Sequence, residues 1–429
     1  MSTDIKSQTQ EELQAQFQAW DQPTYRVAQV LRWLYARRAT DWDEMTNLPL
    51  ALRDRLRKEF TLRTLALVRK QGARDTTQKF LWQLHDGALV ESVLIPASPA
   101  LYGEPSDRHT LCVSTQVGCA YGCKFCASGL DGWKRHLGVE EIVEQVLAVE
   151  REHASGDPKR QTPESSASTG EGAHSAPRST LETPPRGQNE DGHEAGNHTL
   201  RALPESAAAS AALRPSRLIN NLVIMGMGEP LANYDHLLKA LRILNAPWGG
   251  GIGARKITIS TSGLAPQIRR LADEPLQFRL AISLHGATDE VRARLMPVNR
   301  KHPLRELIGA CEYYQTKQGR LITLEYILIA GVNDGLDQVR PLAQLAHRLH
   351  AKVNLIPYNI VEGLPWERPE ERVQEAFFAA LQKEKVLATL RREKGRDIAA
   401  ACGQLRLQTQ RDLAPAVDAG AASHAHGLQ

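Results

Sequence analysis

The chain has 429 residues, of which 42% are hydrophobic and 24% charged, with a formal net charge of +4. This is the composition of a protein with an ordinary packed core, neither collagenous, coiled-coil nor wholly disordered. No run approaches the roughly 18 apolar residues of a membrane-spanning helix, the start MSTDIKSQTQEELQ has no apolar signal region, and six cysteines are too few for a disulfide scaffold. A soluble, cytoplasmic protein without a membrane partner is expected.

Residues 20–75 read as a small helical domain. Tyr25, Val30, Leu31 and Leu34 recur at helical spacing, as do Leu48, Leu52 and Leu56, with Pro49 placed for a first turn. Between Asp21 and Arg74, twelve basic residues stand against six acidic ones, and Trp20, Trp33 and Trp42 lie close by. Such a domain could hold RNA phosphates and stack bases; a charged, solvated face over a Trp-filled core is the commoner meaning of a charge run. Residues 76–104 follow as a hairpin extension. KFLWQLH and ALVESVLIP flank Asp86-Gly87, a strong turn signal. Glu91 sits inside the second of these strands, an unusual place for a carboxylate.

From residue 105 to 397 strands and helices alternate. Strand-like runs fall at 111–115, 218–225, 256–260, 278–283, 321–329 and 352–357, and helical patterns at 139–150, 234–245, 264–273, 303–318, 336–350 and 370–391. The fold class is therefore α/β with a parallel sheet. Six units are too few for a closed eight-fold barrel, leaving a partial barrel or a doubly wound sheet. Residues 151–217 interrupt the pattern with four Leu and no Ile, Val, Phe, Tyr or Trp, but seven Pro and six Gly. That composition cannot offset its ordering entropy, so a disordered insertion is expected. Residues 398–429 form a C-terminal segment that ends in a loose tail.

Cys119, Cys123 and Cys126 form a C-x3-C-x2-C run just after the first strand of this region, and Cys112 lies on that strand. Thiols this close on a loop usually bind metal. A structural four-cysteine zinc site using Cys112 is one reading. Zinc ribbons bring two short arms together, however, and no second arm is visible. Three clustered thiolates suit an iron–sulfur cluster, with one iron left open. Polar and glycine residues also gather at the strand ends, where ligands bind in parallel sheets: Gly226-Met227-Gly228-Glu229-Pro230, Ser260-Thr261-Ser262-Gly263, Ser283-Leu284-His285 and Tyr358-Asn359.

The cysteine run, with Phe125 before the third Cys, resembles the signature of radical S-adenosylmethionine (SAM) enzymes. The resemblance implies a partial (β/α)6 barrel, a [4Fe-4S] cluster on Cys119, Cys123 and Cys126, and SAM on the open iron. Gly228 and Glu229 would meet the SAM amino group, Ser260, Ser283, Leu284, His285 and Asn359 would complete the pocket, and Phe125 would pack near the adenine.

Within that superfamily the chain is similar to the RlmN family, on LCVSTQVGC (111–119), GMGEPLAN (226–233), SLH (283–285), VNLIPYN (353–359) and ACGQL (401–405). The insertion, and Gly286 where alanine was expected, are departures. Methylation of adenine carbon 2 in 23S ribosomal RNA and in transfer RNA is implied, with two SAM per turnover and a reduced flavodoxin- or ferredoxin-like electron donor. The resemblance makes Cys402 the methyl carrier, Glu91 the proton acceptor and Cys112 the resolving thiol, which forms a transient disulfide with Cys402. It also gives residues 20–75 the task of positioning RNA. The related adenine carbon-8 methyltransferases and a non-catalytic, zinc-stabilised RNA-binding protein stand as alternatives. Cys311 is read as an ordinary buried thiol.

Overall fold

The computed structural model describes residues 3–72, 76–97, 107–155, 217–391 and 404–413. The N-terminal helical unit begins at Thr3, well before residue 20. Strand β1 (Thr3–Asp4) pairs in parallel with β2 (Phe60–Thr61). Between them lie helices Gln10–Ala19, Tyr25–Leu31 and Leu50–Glu59, the second running on through a π-helical turn, Arg32–Arg37. The first helix opens with a reciprocal capping box between Thr9 and Glu12, a T-x-x-E signal that a polar N-terminus conceals. Its Leu13 and Phe17 are buried with Val27, Val30, Leu34, Leu52 and Leu56.

Trp20, Trp33 and Trp42 are also buried, so these three rings build core and are not offered to bases. The basic cluster is largely engaged as well. Arg57 reaches Asp43 at 2.8 Å and Asp54 at 3.1 Å, Arg53 lies 3.6 Å from Asp43, and Arg55 covers the Trp20 ring at 4.6 Å.

Strands β3 (Ala66–Gly72), β4 (Gln78–Gln83) and β5 (Leu89–Pro96) form an antiparallel meander that joins β6 (His109–Cys112). β3 thus belongs to the sheet, although its sequence was grouped with the helical domain. A separate ribbon of β7 (Gln116–Gly118) and β8 (Trp133–His136) brackets the cysteine loop. Then come β9 (Asn221–Ile224), β10 (Ile257–Thr261), β11 (Arg279–Ser283), β12 (Thr323–Leu328), β13 (Lys352–Pro357) and β14 (Ala388–Leu390). One ten-stranded sheet results, in the order β14-β13-β12-β11-β10-β9-β6-β5-β4-β3. From β6 to β14 all neighbours are parallel. The six expected strands are β6 and β9–β13; their near-continuous apolar runs reflect burial on both faces. β14 was read as helix. The helix Glu371–Lys383 stops where Lys385 turns into the left-handed region at φ 59°. A short helix, Asp289–Leu295, capped by the Thr288 hydroxyl accepting from Val291 N–H, was not foreseen.

Helix Val139–Ser155 takes in Arg151–Ser155, which the composition had grouped with the insertion; residues 156–216 lie outside the described residues, as do Cys402 and the tail beyond 413. This helix anchors several parts of the chain. Glu144 holds the buried Lys6 ammonium at 3.2 Å and Glu150 the Arg38 guanidinium at 2.7 Å, docking the N-terminal unit. Gln145 Oε1 accepts from Ser92 Oγ and Ser114 N–H, both at 2.9 Å, fixing β5 and the residues after β6.

Candidate active site

The cysteine loop and the motifs around Gly228, Ser260, Ser283 and Asn359 lie at the carboxyl ends of the parallel strands, Glu91 lies on the antiparallel β5, and Cys402 is outside the described residues. The cysteine loop leaves β7 at Gly118, whose φ of 75° and close approach to the Gly132 carbonyl leave no room for a Cβ. The loop is tied at three points: Cys119 N–H donates to Gly132 O at 3.1 Å, Lys124 N–H to Leu295 O at 2.9 Å, and Trp366 Nε1–H to Lys124 O at 2.7 Å.

Burial and the neighbouring Cys126 and Glu229 push the Cys119 thiol up to about 12, and burial with both other cysteines holds Cys123 well above the ordinary thiol value. Three thiols close together on one loop, two of them held protonated by burial, are a donor set whose thiolates a bound cation would stabilise, so the residues fit a metal cluster. A [4Fe-4S] cluster takes each thiolate on a separate iron.

Beside the loop, Gly226 and Gly228 let the second strand's loop press against the first. A Cβ on Gly226 would lie 2.6 Å from Val113 O, and one on Gly228 (φ 101°) 2.6 Å from Gln116 Cβ. Gln116 Oε1 accepts from Glu229 N–H at 2.8 Å. The Glu229 carboxylate is wholly buried and accepts from Leu231 N–H at 3.0 Å and Ser262 N–H at 2.6 Å; burial still raises its pKa. It therefore ties the second strand's loop to the third. Ser260 Oγ lies 3.4 Å from Ser283 Oγ on the next strand. His285, at φ 55°, accepts at Nδ1 from Ile327 N–H at 3.1 Å, and its ring meets Phe125 edge-on at 4.9 Å. Leu284 is buried and Asn359 half-buried on the loop after β13.

Two buried groups at these strand ends carried no sequence motif. Arg292 is fully buried and donates to the carbonyls of Ser262 (2.5 Å), Leu284 (2.8 Å) and Ser283 (3.2 Å). Burial pulls its pKa down to about 10 against the opposing influence of Cys123. It also explains Gly286, where a Cβ would stand 2.5 Å from Arg292 N and 2.6 Å from its Cα. Glu325, paired in register with Ser283, is buried and accepts from Asn354 Nδ2 at 2.7 Å. The only available signal was a carboxylate inside an apolar strand, as for Glu91.

Glu91 is buried on β5, with Lys79 Nζ 3.0 Å from Oε2. Oε1 accepts from Arg406 N–H at 2.6 Å, in the helix Gln404–Leu413. Leu405 packs with Leu81 and Leu89. Register pairs Glu91 with Leu81, Val93 with Lys79, and Val93 with Cys112. Directly paired residues share a face and alternate residues keep it, so Cys112 and Glu91 lie on one face of the sheet. Arg406 Nη1 reaches Asp131 at 2.7 Å, tying the same helix to the loop after Cys126.

An open parallel sheet with six β/α units and three loop thiols at its carboxyl end defines a radical SAM enzyme. A Radical SAM superfamily model matches residues 198–345, and one described as "Ribosomal RNA large subunit methyltransferase N-terminal domain" matches 3–62. The "Probable dual-specificity RNA methyltransferase RlmN 3" of Opitutus terrae is 48% identical over 95% of both chains. The "Probable dual-specificity RNA methyltransferase RlmN" of Akkermansia muciniphila is 46% identical over 95% of this chain and 96% of that one. The crystal structure of a radical SAM methyltransferase from Sphaerobacter thermophilus superposes with a TM-score of 0.74 at 37% identity, covering 94% of this chain and 98% of that one. The chain belongs to the RlmN family.

Proposed function

We propose that this chain methylates carbon 2 of adenine in 23S ribosomal RNA and in transfer RNA, in the cytoplasm. Each turnover consumes two SAM, with electrons from a reduced flavodoxin- or ferredoxin-like protein. SAM-dependent radical methylation of RNA follows from family membership; the nucleotide and the residue roles are our reading. Carbon 2 lies between two ring nitrogens and is too electron-poor to displace the SAM methyl, so a polar attack by the base is closed.

A cluster on Cys119, Cys123 and Cys126, with SAM seated by Gly228, Glu229, Ser260, Ser283, Leu284, His285 and Asn359, would supply a 5′-deoxyadenosyl radical at the strand ends. The chain's own residues do the rest. Cys402 accepts the methyl group on sulfur, and its methyl carbon, after losing a hydrogen atom, bonds to carbon 2 and joins protein to RNA. Glu91 takes the carbon-2 proton, and the unpaired electron left on the ring would return to the iron–sulfur cluster. The Cys112 thiolate attacks the Cys402 sulfur; the carbon–sulfur bond breaks as the disulfide forms, its electron pair goes to the departing carbon, and that carbon takes a proton to become the methyl group of the released base.

The observation that carries this reading is the Glu91–Arg406 hydrogen bond. It holds the chain four residues beyond Cys402 against the carboxylate, on the face that Cys112 shares. Mass spectrometry of ribosomal and transfer RNA from cells with and without the protein tests it. Loss of 2-methyladenosine from both is expected; loss of an 8-methyl mark, or of none, overturns it.

A further inference from the structure

We propose that Trp133 is a stacking platform for an unpaired base of the RNA substrate, next to the adenine being methylated. This rests on the reading above that RNA enters at the cysteine-loop end of the sheet. Of the seven tryptophans, Trp133 alone is exposed, at 47%; the other six are buried or half-buried. An exposed indole offers solvent a large, rigid π-face with a polar edge, the kind of surface used at contacts.

The ring is held in place. It meets His136 edge-on at 5.3 Å; His136 Nδ1 lies 3.0 Å from Gln116 Nε2, and Gln116 Oε1 accepts from Glu229 N–H. The indole thus stands on a hydrogen-bonded relay, half-buried at His136 and buried at Gln116, that ends at the proposed SAM loop. Its strand, β8, follows Gly132, whose carbonyl holds Cys119. Two residues before it, Asp131 binds Arg406, on the helix that follows the Cys402 segment. Trp133 therefore lies on the ribbon linked both to the first cysteine and to the segment expected to carry the methyl group.

Charge selects the occupant. On this loop and ribbon the nearby acid, Asp131, is neutralised by Arg406, whereas Lys124 and Lys134 are exposed and form no ion pair among the described residues. A π-face on a loop and ribbon that also carry ammonium groups free of ion pairs suits single-stranded nucleic acid, which proteins hold with aromatic faces and positive charge. A flanking base gives Trp133 a task at substrate recognition and none at the chemical step.

The test uses the anaerobically reconstituted holoenzyme with unmodified bulk transfer RNA, comparing Trp133→Ala, Trp133→Phe and Trp133→Leu with the parent. Stacking contributes about 1–3 kcal/mol per base, so Trp133→Ala is expected to raise KM for RNA by about fivefold or more with kcat little changed. Trp133→Phe restores most of the loss and Trp133→Leu does not. RNA also quenches parent indole fluorescence more than that of Trp133→Phe. An unchanged KM overturns the proposal, as does equal rescue by Leu, which means apolar cover over Gly118. Slower cluster reduction by the protein donor with RNA KM unchanged assigns the ring to a protein partner instead. Loss of iron and sulfide in all three variants makes it structural. If the parent itself leaves RNA unmethylated, the failure lies with the proposed function.

Discussion

Arg406 hands its backbone N–H to the Glu91 carboxylate at 2.6 Å across 315 residues of sequence. The same carboxylate is ion-paired with Lys79, so one buried acid joins the meander, the C-terminal helix and the face that bears Cys112.

Cys402→Ala is expected to leave iron and sulfide content at the parent level and to form no protein–RNA link, because the methyl carrier is gone. Cys112→Ala keeps the carrier and loses only the thiolate that releases the product. It should accumulate a covalent adduct, visible as a nuclease-sensitive upward shift on a denaturing gel. The double variant should show no such band. Normal turnover by Cys112→Ala would falsify the assigned order of steps.

Glu91→Gln separates structure from chemistry. It removes the carboxylate charge paired with the buried Lys79 ammonium, and breaking a buried pair costs about 3–5 kcal/mol. Adding Lys79→Met removes the other charge of the pair and is expected to recover most of that loss in denaturant unfolding. Neither variant should complete methylation, since the acceptor for the carbon-2 proton is absent from both. If the double variant regains both stability and turnover, Glu91 is only half of a structural pair.

Gly286→Ala is expected to destabilise the fold by about 1–3 kcal/mol, the usual cost of overpacking. The added carbon runs into backbone of Arg292, which cannot swing aside as a side chain tip can. A thermal midpoint equal to the parent's would show that the helix Asp289–Leu295 shifts freely.

Much of this was legible in the sequence. Parallel strands announce themselves as apolar runs, and the cysteine spacing is local, so β6, β9–β13 and the thiol loop could be read directly. Arg292 could not: its partners are backbone carbonyls of two other loops, which no residue pattern encodes. Nor could the shared face of Cys112 and Glu91, which depends on the register of β5 on β6. Trp20, Trp33 and Trp42 are core, the commoner of the two meanings their basic surroundings allow, while Trp133, just after the cysteine run, carries no motif.

His285 gives a pH signature. Burial and the Arg292 guanidinium hold its imidazole at about 3, far below the ordinary 6.5. Between those values the unfolded chain binds a proton that the folded chain refuses. Stability from this site is therefore complete above pH 6.5 and declines as pH falls, by up to about 1.4 kcal/mol per unit. From pH 7 to pH 5 the parent should lose roughly 2 kcal/mol more than His285→Gln in chemical denaturation. Parallel slopes would place the imidazole near its ordinary value.

Glu150 accepts from the amides of Leu218 and Ile219, at 3.3 and 2.8 Å, besides pairing with Arg38. The described chain stops at Ser155 and resumes at Arg217, so both flanks of the 61 residues between are pinned close to one carboxylate. The ends of that excursion are brought together by the core itself. One carboxylate therefore closes the chain across this interval and holds the N-terminal unit, so both depend on the same side chain.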